Sequence, residues 1–420
     1  MKRRRFLQVL TADATLPLAQ RLAKAAGTSY QVGAGVSSTD PYGATQRAIT
    51  ASGQFPNVSG KTVMIKPNLV SPKPSTSGVT TDPQVVRAIV DAALQGGASS
   101  VLIAEGGAGI PPANFTACGY GFFSSYDPKV ELMDFSQQSA SFVRVPNGLT
   151  FFGMYVPAPA AQSGLVFISA AKLKTHVNAG VSLSMKNVFG LAVPTYYMVP
   201  SQLARMDGHL RGIDESVVDI NLARPVDFAV IDGIWGLEGN GPLSGTPVAS
   251  GIVFAGSNPV AVDRVALDFM GIPQYQIPHL SYAWQKGLGP SDTSSVTVEG
   301  DSYTRTSFVQ AKTSPIVWRP TPSPNPISIG AGQSTTIHYK IPTACSVAAQ
   351  IIQDNDQAPA VKVVRNLQAF TSTPAGVASI LWDGRDDHGA PVAPGLYLAR
   401  LLGTFGSGIS YTTSWILVNA

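Results

Sequence analysis

Short apolar runs alternate with helical patterns over residues 55–300. The run Val63-Met64-Ile65 predicts one buried strand, and Ser100–Ala104 predicts the next. Between them, Asp82-Pro83 is typical of a helix start, because Asp can cap the backbone and Pro fits the first turn. Apolar residues then recur at helical spacing over Val85–Leu94. This order of strand, helix and strand predicts a parallel βαβ unit.

The alternation continues along this part of the chain. Further apolar runs predict strands at Val130–Phe135, Leu165–Ala170, Phe228–Ile231 and Gly251–Ala255. Helical spacing predicts helices at Asp214–Leu222 and Pro259–Met270. We expect residues 27–60 to be loop-rich, apart from one helix near Tyr42–Ser52. The fold class predicted for residues 27–312 is α/β, with a mixed or mostly parallel sheet flanked by helices.

The pattern changes after residue 312. Alternating prolines within residues 313–326 favour an extended backbone, which predicts a proline-rich linker. Short β-branched runs separated by turn residues follow over residues 327–420, and they predict a small C-terminal all-β sandwich. Because the α/β part has its own strands and helices, we expect it to fold without the sandwich.

Basic residues are concentrated at the N-terminus. Residues 1–26 contain six of the 29 basic residues and one of the 25 acidic residues, so the rest of the chain is close to neutral. A nucleic-acid-binding surface needs clustered basic side chains, and we therefore expect no nucleic-acid partner. Only 13% of all residues are charged, which is low for a globular protein and is common in exported proteins.

The N-terminal residues predict export. Arg3-Arg4-Arg5 followed by Phe6-Leu7 is similar to a twin-arginine signal, and Ala23-Lys24-Ala25 is a small-x-small cleavage site. We expect residues 1–26 to be recognised by the twin-arginine export machinery and the protein to be periplasmic or extracellular. An amphipathic helix that stays on the protein is the alternative. We expect no transmembrane segment, because no other stretch reaches the roughly 18 apolar residues required.

The chain has two cysteines, Cys118 and Cys345. Two thiolates cannot complete a four-cysteine cluster, so we expect no iron–sulfur cofactor. The two residues fall in different predicted domains, which favours two isolated thiols over a disulfide.

Cationic side chains follow one predicted strand. Lys172, Lys174 and His176 come just after Leu165–Ala170, and alternation in an extended segment would place them on one side. Such a row can bind phosphate, sulfate or carboxylate. Neighbouring lysines also lower each other's pKa, so one of them could act as a general base. A solvated strand end is the alternative, and it accounts for the lysines better than for the histidine.

Carboxylates and amides follow other predicted strands. Asp232 and Glu238 flank a glycine-rich loop after Phe228–Ile231, where they could serve as general acid and base or bind a divalent cation. The alternative is that Asp232 caps the following turn and Glu238 is a surface group. Lys66 and Asn68 follow one strand, and Glu105 follows another. Open α/β sheets place their sites at the carboxyl ends of strands. One pocket is therefore expected to be lined by Lys66, Lys172, Lys174, His176, Asp232 and Glu238.

Several motifs occur in a fixed order over about residues 60–270. They are Ile65-Lys66-Pro67-Asn68-Leu69, Lys172-Leu173-Lys174-Thr175-His176, Lys186-Asn187, Asp232-Gly233-Ile234 with Glu238-Gly239-Asn240-Gly241-Pro242, and Asn258-Pro259-Val260-Ala261-Val262-Asp263. In order and spacing they resemble domain-of-unknown-function family 362. The resemblance implies no settled activity. Many members of that family have a ferredoxin-like module with clustered cysteines, which this chain lacks.

The C-terminal part has a signature of its own. Trp382-Asp383-Gly384-Arg385-Asp386-Asp387-His388-Gly389, followed by Pro394-Gly395-Leu396-Tyr397, is similar to the immunoglobulin-like domain of flagellar hook-capping proteins. The resemblance implies an accessory β-sandwich.

We interpret the chain as an exported enzyme that acts on a small anionic compound, with no metal ligands assigned and a divalent cation left open. The expected catalytic residues are Lys172, Lys174, His176, Asp232 and Glu238. The expected substrate-binding residues are Lys66, Asn68, Glu105, Lys186 and Asn187. An anion-binding protein without catalysis is one alternative, and a structural surface protein docked through the sandwich is another.

Overall fold

The computed structural model describes residues 29–106, 113–145, 147–197, 206–311, 319–341, 343–353, 362–405 and 408–420. Residues 1–28, which include the predicted export signal, lie outside the described residues. Export therefore stays a prediction.

The strands of the α/β part run from residue 30 to residue 300. They are β1 (Tyr30–Val36), β2 (Thr62–Pro67), β3 (Ser100–Glu105), β4 (Val130–Asp134), β5 (Ala140–Arg144), β6 (Gly153–Pro157), β7 (Val166–His176), β8 (Gly180–Val181), β9 (Phe228–Glu238), β10 (Thr246–Val248), β11 (Ile252–Gly256) and β12 (Val296–Gly300).

Helices connect and cover these strands. The α-helices are α1 (Pro41–Ser52), α2 (Pro83–Gln95), α3 (Ala113–Ala117), α4 (Ser184–Asn187), α5 (Pro194–Tyr197), α6 (Met206–Arg211), α7 (Ile213–Ala223), α8 (Pro259–Met270) and α9 (Pro278–Gln285). Short 3₁₀ turns lie at Ser75–Ser77, Gly121–Ser125, Phe135–Gln137, Ala158–Ala161, Val188–Leu191 and Gln274–Gln276.

One ten-stranded sheet forms the centre of the α/β part. Its order is β12-β1-β11-β9-β7-β2-β3-β4, with β10 paired to β9 and β8 paired to β7. The neighbours from β9 to β4 are parallel, whereas β11 runs antiparallel to both β9 and β1. The predicted α/β class with a mostly parallel, helix-flanked sheet is confirmed.

Apolar side chains fill both faces of this sheet. Val63 and Ile65 of β2 belong to one buried cluster, together with residues of α1 and α2. Met64, between them, belongs to a second cluster with residues of α7 and α8. Strands buried on both faces read as continuous apolar runs, which explains why the run Val63-Met64-Ile65 was recognisable.

Two strands are longer than the apolar runs that predicted them. The strand expected at Leu165–Ala170 is β7, which continues to His176, and the strand expected at Phe228–Ile231 is β9, which continues to Glu238. The stretch expected to be a glycine-rich loop is therefore strand. The cationic residues Lys172, Lys174 and His176 likewise lie within a strand rather than after one. Strand β1 falls where loop was expected.

The C-terminal part forms two facing sheets, as predicted. Its strands are β13 (Thr321–Ser323), β14 (Ile327–Ser328), β15 (Thr335–Ile341), β16 (Cys345–Gln353), β17 (Lys362–Thr373), β18 (Gly376–Trp382), β19 (Gly395–Phe405) and β20 (Gly408–Asn419). One sheet has the order β13-β15-β18 and the other β14-β20-β19-β16-β17. Trp382, fully buried, packs in the core between them.

The proline-rich stretch is partly built into this sandwich. Thr321–Ser323 pairs with β15 as an edge strand. Pro322 can occupy an edge strand because proline lacks a backbone N–H, and an edge residue has no second strand to which it must donate. The segment from residue 321 is therefore not a free connector. Residues 313–318 of the predicted linker lie outside the described residues.

The sandwich and the α/β part share buried polar contacts. Thr412 donates its hydroxyl to the Glu215 carboxylate of α7, and the backbone N–H of Thr413 donates to the same oxygen at 3.3 Å. Arg319 donates to the Thr413 carbonyl and to the Leu149 carbonyl, both at 3.1 Å. Removing the sandwich would expose these buried polar groups of the α/β part. The expectation that the α/β part folds alone stays a prediction.

Candidate functional site

The carboxyl ends of β2, β3 and β7 meet at one edge of the sheet. The chain runs from β2 through α2 to β3 and β4, then returns to β7 on the other side of β2. Connections thus leave β2 and β7 in opposite directions, and open α/β sheets form a crevice at such a point. A cleft of about 440 Å³, including the solvent at its mouth, lies here. Its lining residues are Lys66, Asn68, Val70, Glu105, Lys174, His176, Ser182, Lys186, Asn187, Phe189, Gly190 and Pro242.

A buried ion pair forms one wall of the cleft. Lys66 Nζ lies 2.8 Å from Glu105 Oε2, and both side chains are buried. The same carboxylate accepts from the backbone N–H groups of Leu69 and Gly106, at 3.0 and 2.8 Å. Asn187 donates its amide to the Lys66 carbonyl at 2.9 Å. Glu105 is therefore engaged by cation and backbone rather than facing the cleft as a free acid.

An amide network links this wall to β7. Asn68 Nδ2 donates to Asn187 Oδ1 at 3.1 Å, and Asn68 Oδ1 accepts from Lys174 Nζ at 3.0 Å. Lys174 Nζ also donates to the Val79 carbonyl, at 2.7 Å. These contacts bring residues from three separate motifs into one hydrogen-bonded group.

Burial changes the charge state of Lys174. Its side chain has no exposed surface, and desolvation lowers the pKa of its amine well below the usual value. Lys172 and Lys186 lower that pKa further by repulsion. The amine is thus neutral over a wider pH range than an ordinary lysine, which is a property that a general base or nucleophile requires.

His176 is an uncharged hydrogen-bond donor. Burial, followed by repulsion from Lys186, lowers the pKa of its imidazole well below 6.5. Its Nδ1 accepts from the backbone N–H groups of Asn178 and Ala179 at 3.0 and 3.3 Å. Because Nδ1 accepts, the proton of the neutral ring lies on Nε2. His176 can therefore donate to a ligand oxygen but is poorly suited to act as a base.

Lys186 and Asn187 lie on the short helix α4. Lys186 Nζ lies 4.3 Å from the centre of the Phe189 ring, a cation–π distance. Both residues fall within the last turn of this four-residue helix, Ser184–Asn187. Helix α4 therefore places a cation and an amide at the cleft.

The start of α4 is fixed by an acidic residue from another helix. Asp263 of α8 accepts from the backbone N–H groups of Ser184 and Met185, at 2.7 and 2.9 Å. Its burial raises the pKa of the carboxyl to about 7, although the two N–H donors oppose the shift. Asp263 acts at the cleft through α4, and so positions Lys186.

Replacing Asp263 with alanine is expected to lower the free energy of unfolding by about 2–3 kcal/mol, because two buried N–H groups lose their acceptor. Asp268 on the same helix is a matched control, since its ion pair with Arg305 is exposed. Asp268→Ala should cost less than about 1 kcal/mol. Urea denaturation of both variants measures the difference. Equal losses would contradict the positioning role.

Lys172 and Asp232 form a separate buried pair and do not line the cleft. Lys172 Nζ lies 2.7 Å from Asp232 Oδ2, and neither side chain is exposed. Asp232 also accepts from the backbone N–H groups of Asp82 and Ile234, at 2.7 and 3.0 Å. The pairing of β7 with β9 is irregular beyond this pair, since Lys172 is registered with Asp232 and Lys174 with Leu237. Of the three expected residues of β7, Lys174 and His176 line the cleft, whereas Lys172 pairs with Asp232.

Glu238 lies away from the cleft as well. It is partly exposed at the end of β9, and its carboxylate accepts from the backbone N–H of Val309 at 2.8 Å. The expected convergence of six residues is thus observed for Lys66, Lys174 and His176 only. The five expected substrate-binding residues all line the cleft.

Gly190 is a cleft residue that the sequence did not indicate. A Cβ atom added there would lie 2.2 Å from Lys66 Cε and 3.1 Å from Glu105 Oε1. A side chain at this position would require Lys66 to shift from its place in the ion pair. The contact joins residues 124 positions apart along the chain, so no local pattern could have found it.

Comparisons with known proteins agree with part of this picture. The model of a domain of unknown function, DUF362, matches residues 63–268, so the expected resemblance is confirmed over that region. A thylakoid-associated protein of Synechocystis sp., sll1697, is 26% identical over 232 residues, which cover 55% of this chain and 70% of that protein.

Two solved structures are similar to smaller parts of the chain. FlgD from P. aeruginosa is 19% identical, with a TM-score of 0.17 over 20% of this chain and 60% of that one. PorU from Porphyromonas gingivalis is 20% identical, with a TM-score of 0.22 over 27% and 10%. The chain spans less than two thirds of either structure. The similarity of the sandwich to hook-capping proteins stays a prediction.

The described residues contain no group of three or more His, Cys, Asp or Glu side chains placed to bind a metal ion. Within the same residues, no helix has the length and apolar character needed to cross a membrane. Cys118 and Cys345 are both buried free thiols.

Proposed function

We propose that the protein is an enzyme that binds a small anionic compound in the cleft between β2 and β7. The composition of the cleft carries this proposal. Three lysines, a histidine and two asparagines line it, and its acidic lining residue, Glu105, is already bonded to Lys66. The lining therefore has an excess of cationic and hydrogen-bond-donating groups.

Burial makes this arrangement suited to an anion. A cation removed from water loses solvation, and an anion that binds beside it adds a favourable charge-assisted contact. Lys186 is suited to the negatively charged group, and the Nε2–H of His176 is suited to a neighbouring oxygen of the compound. The side-chain amide of Asn68, which uses one N–H on Asn187, has a second N–H for a neutral oxygen of the same compound.

The state of Lys174 favours an enzyme over a simple binding protein. A site that only captured anions would benefit from a fully charged ammonium group. Instead, burial and two neighbouring lysines lower the pKa of Lys174 well below its usual value. A neutral amine beside an anion-binding group is typical of base or nucleophilic catalysis.

Replacing Lys186 with alanine is expected to weaken the binding of small carboxylates and phosphate by at least about tenfold, because a hydrogen bond to a charged group contributes about 1.5–3 kcal/mol. Isothermal titration calorimetry with phosphate, acetate, lactate and pyruvate measures the change. Lys61→Ala is the matched control, since Lys61 is exposed and lies outside the cleft. The proposal fails if both variants bind these anions as the unaltered protein does, or if none binds.

A further inference from the structure

We propose that Lys174 is a nucleophile that forms an imine with the carbonyl carbon of a small oxo acid, a compound with both a carbonyl group and a carboxylate. This inference rests on the proposed function, because the same cleft would bind the carboxylate. It adds the class of substrate and the covalent step.

The inference depends on the hydrogen bonds of Lys174. Its Nζ donates to Asn68 Oδ1 at 3.0 Å and to the Val79 carbonyl at 2.7 Å. A neutral amine has two N–H bonds and one lone pair, so these two acceptors use both hydrogens. The lone pair is left for an electrophile. A charged ammonium would have a third hydrogen, for which neither contact provides an acceptor.

The partners of Lys174 also differ from those of its neighbours. Lys66 is paired with Glu105 and Lys172 with Asp232, each by a carboxylate within 2.8 Å. Both acceptors of Lys174 are uncharged amide oxygens. A neighbouring carboxylate would favour the charged ammonium form of Lys174. An uncharged amide oxygen stabilises that form less. Desolvation and nearby lysines act in the same direction, since they lower the pKa of Lys174.

The rest of the cleft fits an oxo acid. Lys186 can bind its carboxylate, because a cation at the cleft is suited to that group. His176 can donate from Nε2 to the carbonyl oxygen and polarise it, since Nδ1 is occupied by two backbone donors. The cleft, at about 440 Å³ including its mouth, suits a compound of a few carbon atoms.

The step balances without an oxidant or a reductant. The Nζ lone pair attacks the carbonyl carbon, the C=O π electrons move to oxygen, and one of the two Nζ protons is transferred to that oxygen. The resulting carbinolamine loses a proton from nitrogen and the hydroxyl group as water. The products are a C=N bond between Nζ and the former carbonyl carbon and one molecule of water.

The test uses the full chain with pyruvate as the probe and sodium cyanoborohydride to reduce any imine to a stable amine. Peptide mass mapping then locates the adduct. We expect Lys174 to carry about tenfold more label than exposed Lys61, as an activated amine should. Lys174→Met should lose the label, and a thermal melt reports whether that variant folds. The map of the unaltered protein locates the adduct independently of any variant.

Calorimetry with lactate separates this inference from the proposed function, because lactate has the carboxylate but no carbonyl group. Label concentrated on Lys174 supports the imine. Binding of pyruvate and lactate without a Lys174 adduct overturns the imine and leaves anion binding in place. Label spread evenly over exposed lysines also overturns it. Absence of both binding and adduct overturns the inference together with the proposed function.

Discussion

Replacing Lys172 with methionine is expected to lower the free energy of unfolding by about 3–5 kcal/mol. The Lys172–Asp232 pair has no exposed side-chain surface, and its charged atoms lie 2.7 Å apart. Methionine fills a similar volume but leaves the carboxylate buried without its cation. Two backbone N–H donors remain, yet they do not replace a full positive charge. Urea denaturation, with the slope compared between variants, measures the loss.

A second variant distinguishes a structural role for this pair from the catalytic role expected from the sequence. Lys172→Met combined with Asp232→Asn removes both charges and should recover part of the lost stability, because no unpaired charge is left. Lys61→Met, at an exposed site, should change stability little. If Lys172→Met unfolds as the unaltered protein does but no longer labels Lys174 with pyruvate, the catalytic interpretation is the better one.

Replacing Glu215 with glutamine is expected to flatten the dependence of stability on pH. Burial raises the pKa of the Glu215 carboxyl from 4.5 to about 8. The folded protein therefore binds this proton more tightly than the unfolded chain does. The resulting stabilisation is complete below pH 4.5 and is lost as the pH rises through about 8. A pKa shift of this size corresponds to a loss of about 3–5 kcal/mol in the free energy of unfolding once Glu215 is fully ionised.

The position of Glu215 explains why this effect should be large. One carboxylate oxygen accepts from Thr412 and Thr413 of the sandwich, and the other has no hydrogen-bond partner among the described residues. Thermal melts from pH 5 to pH 9 should show the unaltered protein losing stability faster than Glu215→Gln. Glu299→Gln, at an exposed position of β12, is the matched control. Parallel curves for all three proteins would contradict the assignment.

The sequence located most strands of the sheet but not their ends. Residues after Ala170 read as polar, yet β7 continues because Lys172 and Lys174 find buried partners from distant parts of the chain. A strand that ends in paired lysines resembles a solvated strand end until its partners are known. Tertiary contacts, rather than local preference, therefore set the length of β7.

Strand β1 was missed for a different reason. Its glycines made the segment read as loop, but both are required by packing. A Cβ atom on Gly33 or Gly35 would lie 1.9 Å from a backbone carbonyl of α1. The glycines thus allow the helix to approach the strand closely, and only the structure reveals the contact.

The sequence placed some residues of the candidate site correctly and misplaced others. Motif order and strand ends led to Lys66, Lys174 and His176, because parallel strands bring their carboxyl ends to one edge. The same reasoning misplaced Lys172, because its buried pairing with Asp232 of the neighbouring strand cannot be read from alternation within β7. Asp263 was named only as the last residue of a motif, and its contact with α4 is shown by the two backbone N–H groups from which it accepts.

The pairing of β1 with β12 also constrains the order of folding. Tyr30 is registered with Val296, and β1 pairs on its other side with β11. On the ribosome, this edge of the sheet cannot close until nearly three quarters of the chain has been synthesised. Contacts between residues so distant in sequence form slowly, because closing a long loop costs entropy before the pairing compensates for it. The first strand of the described residues is thus among the last to find its partners, and until then its edge stays open to other chains.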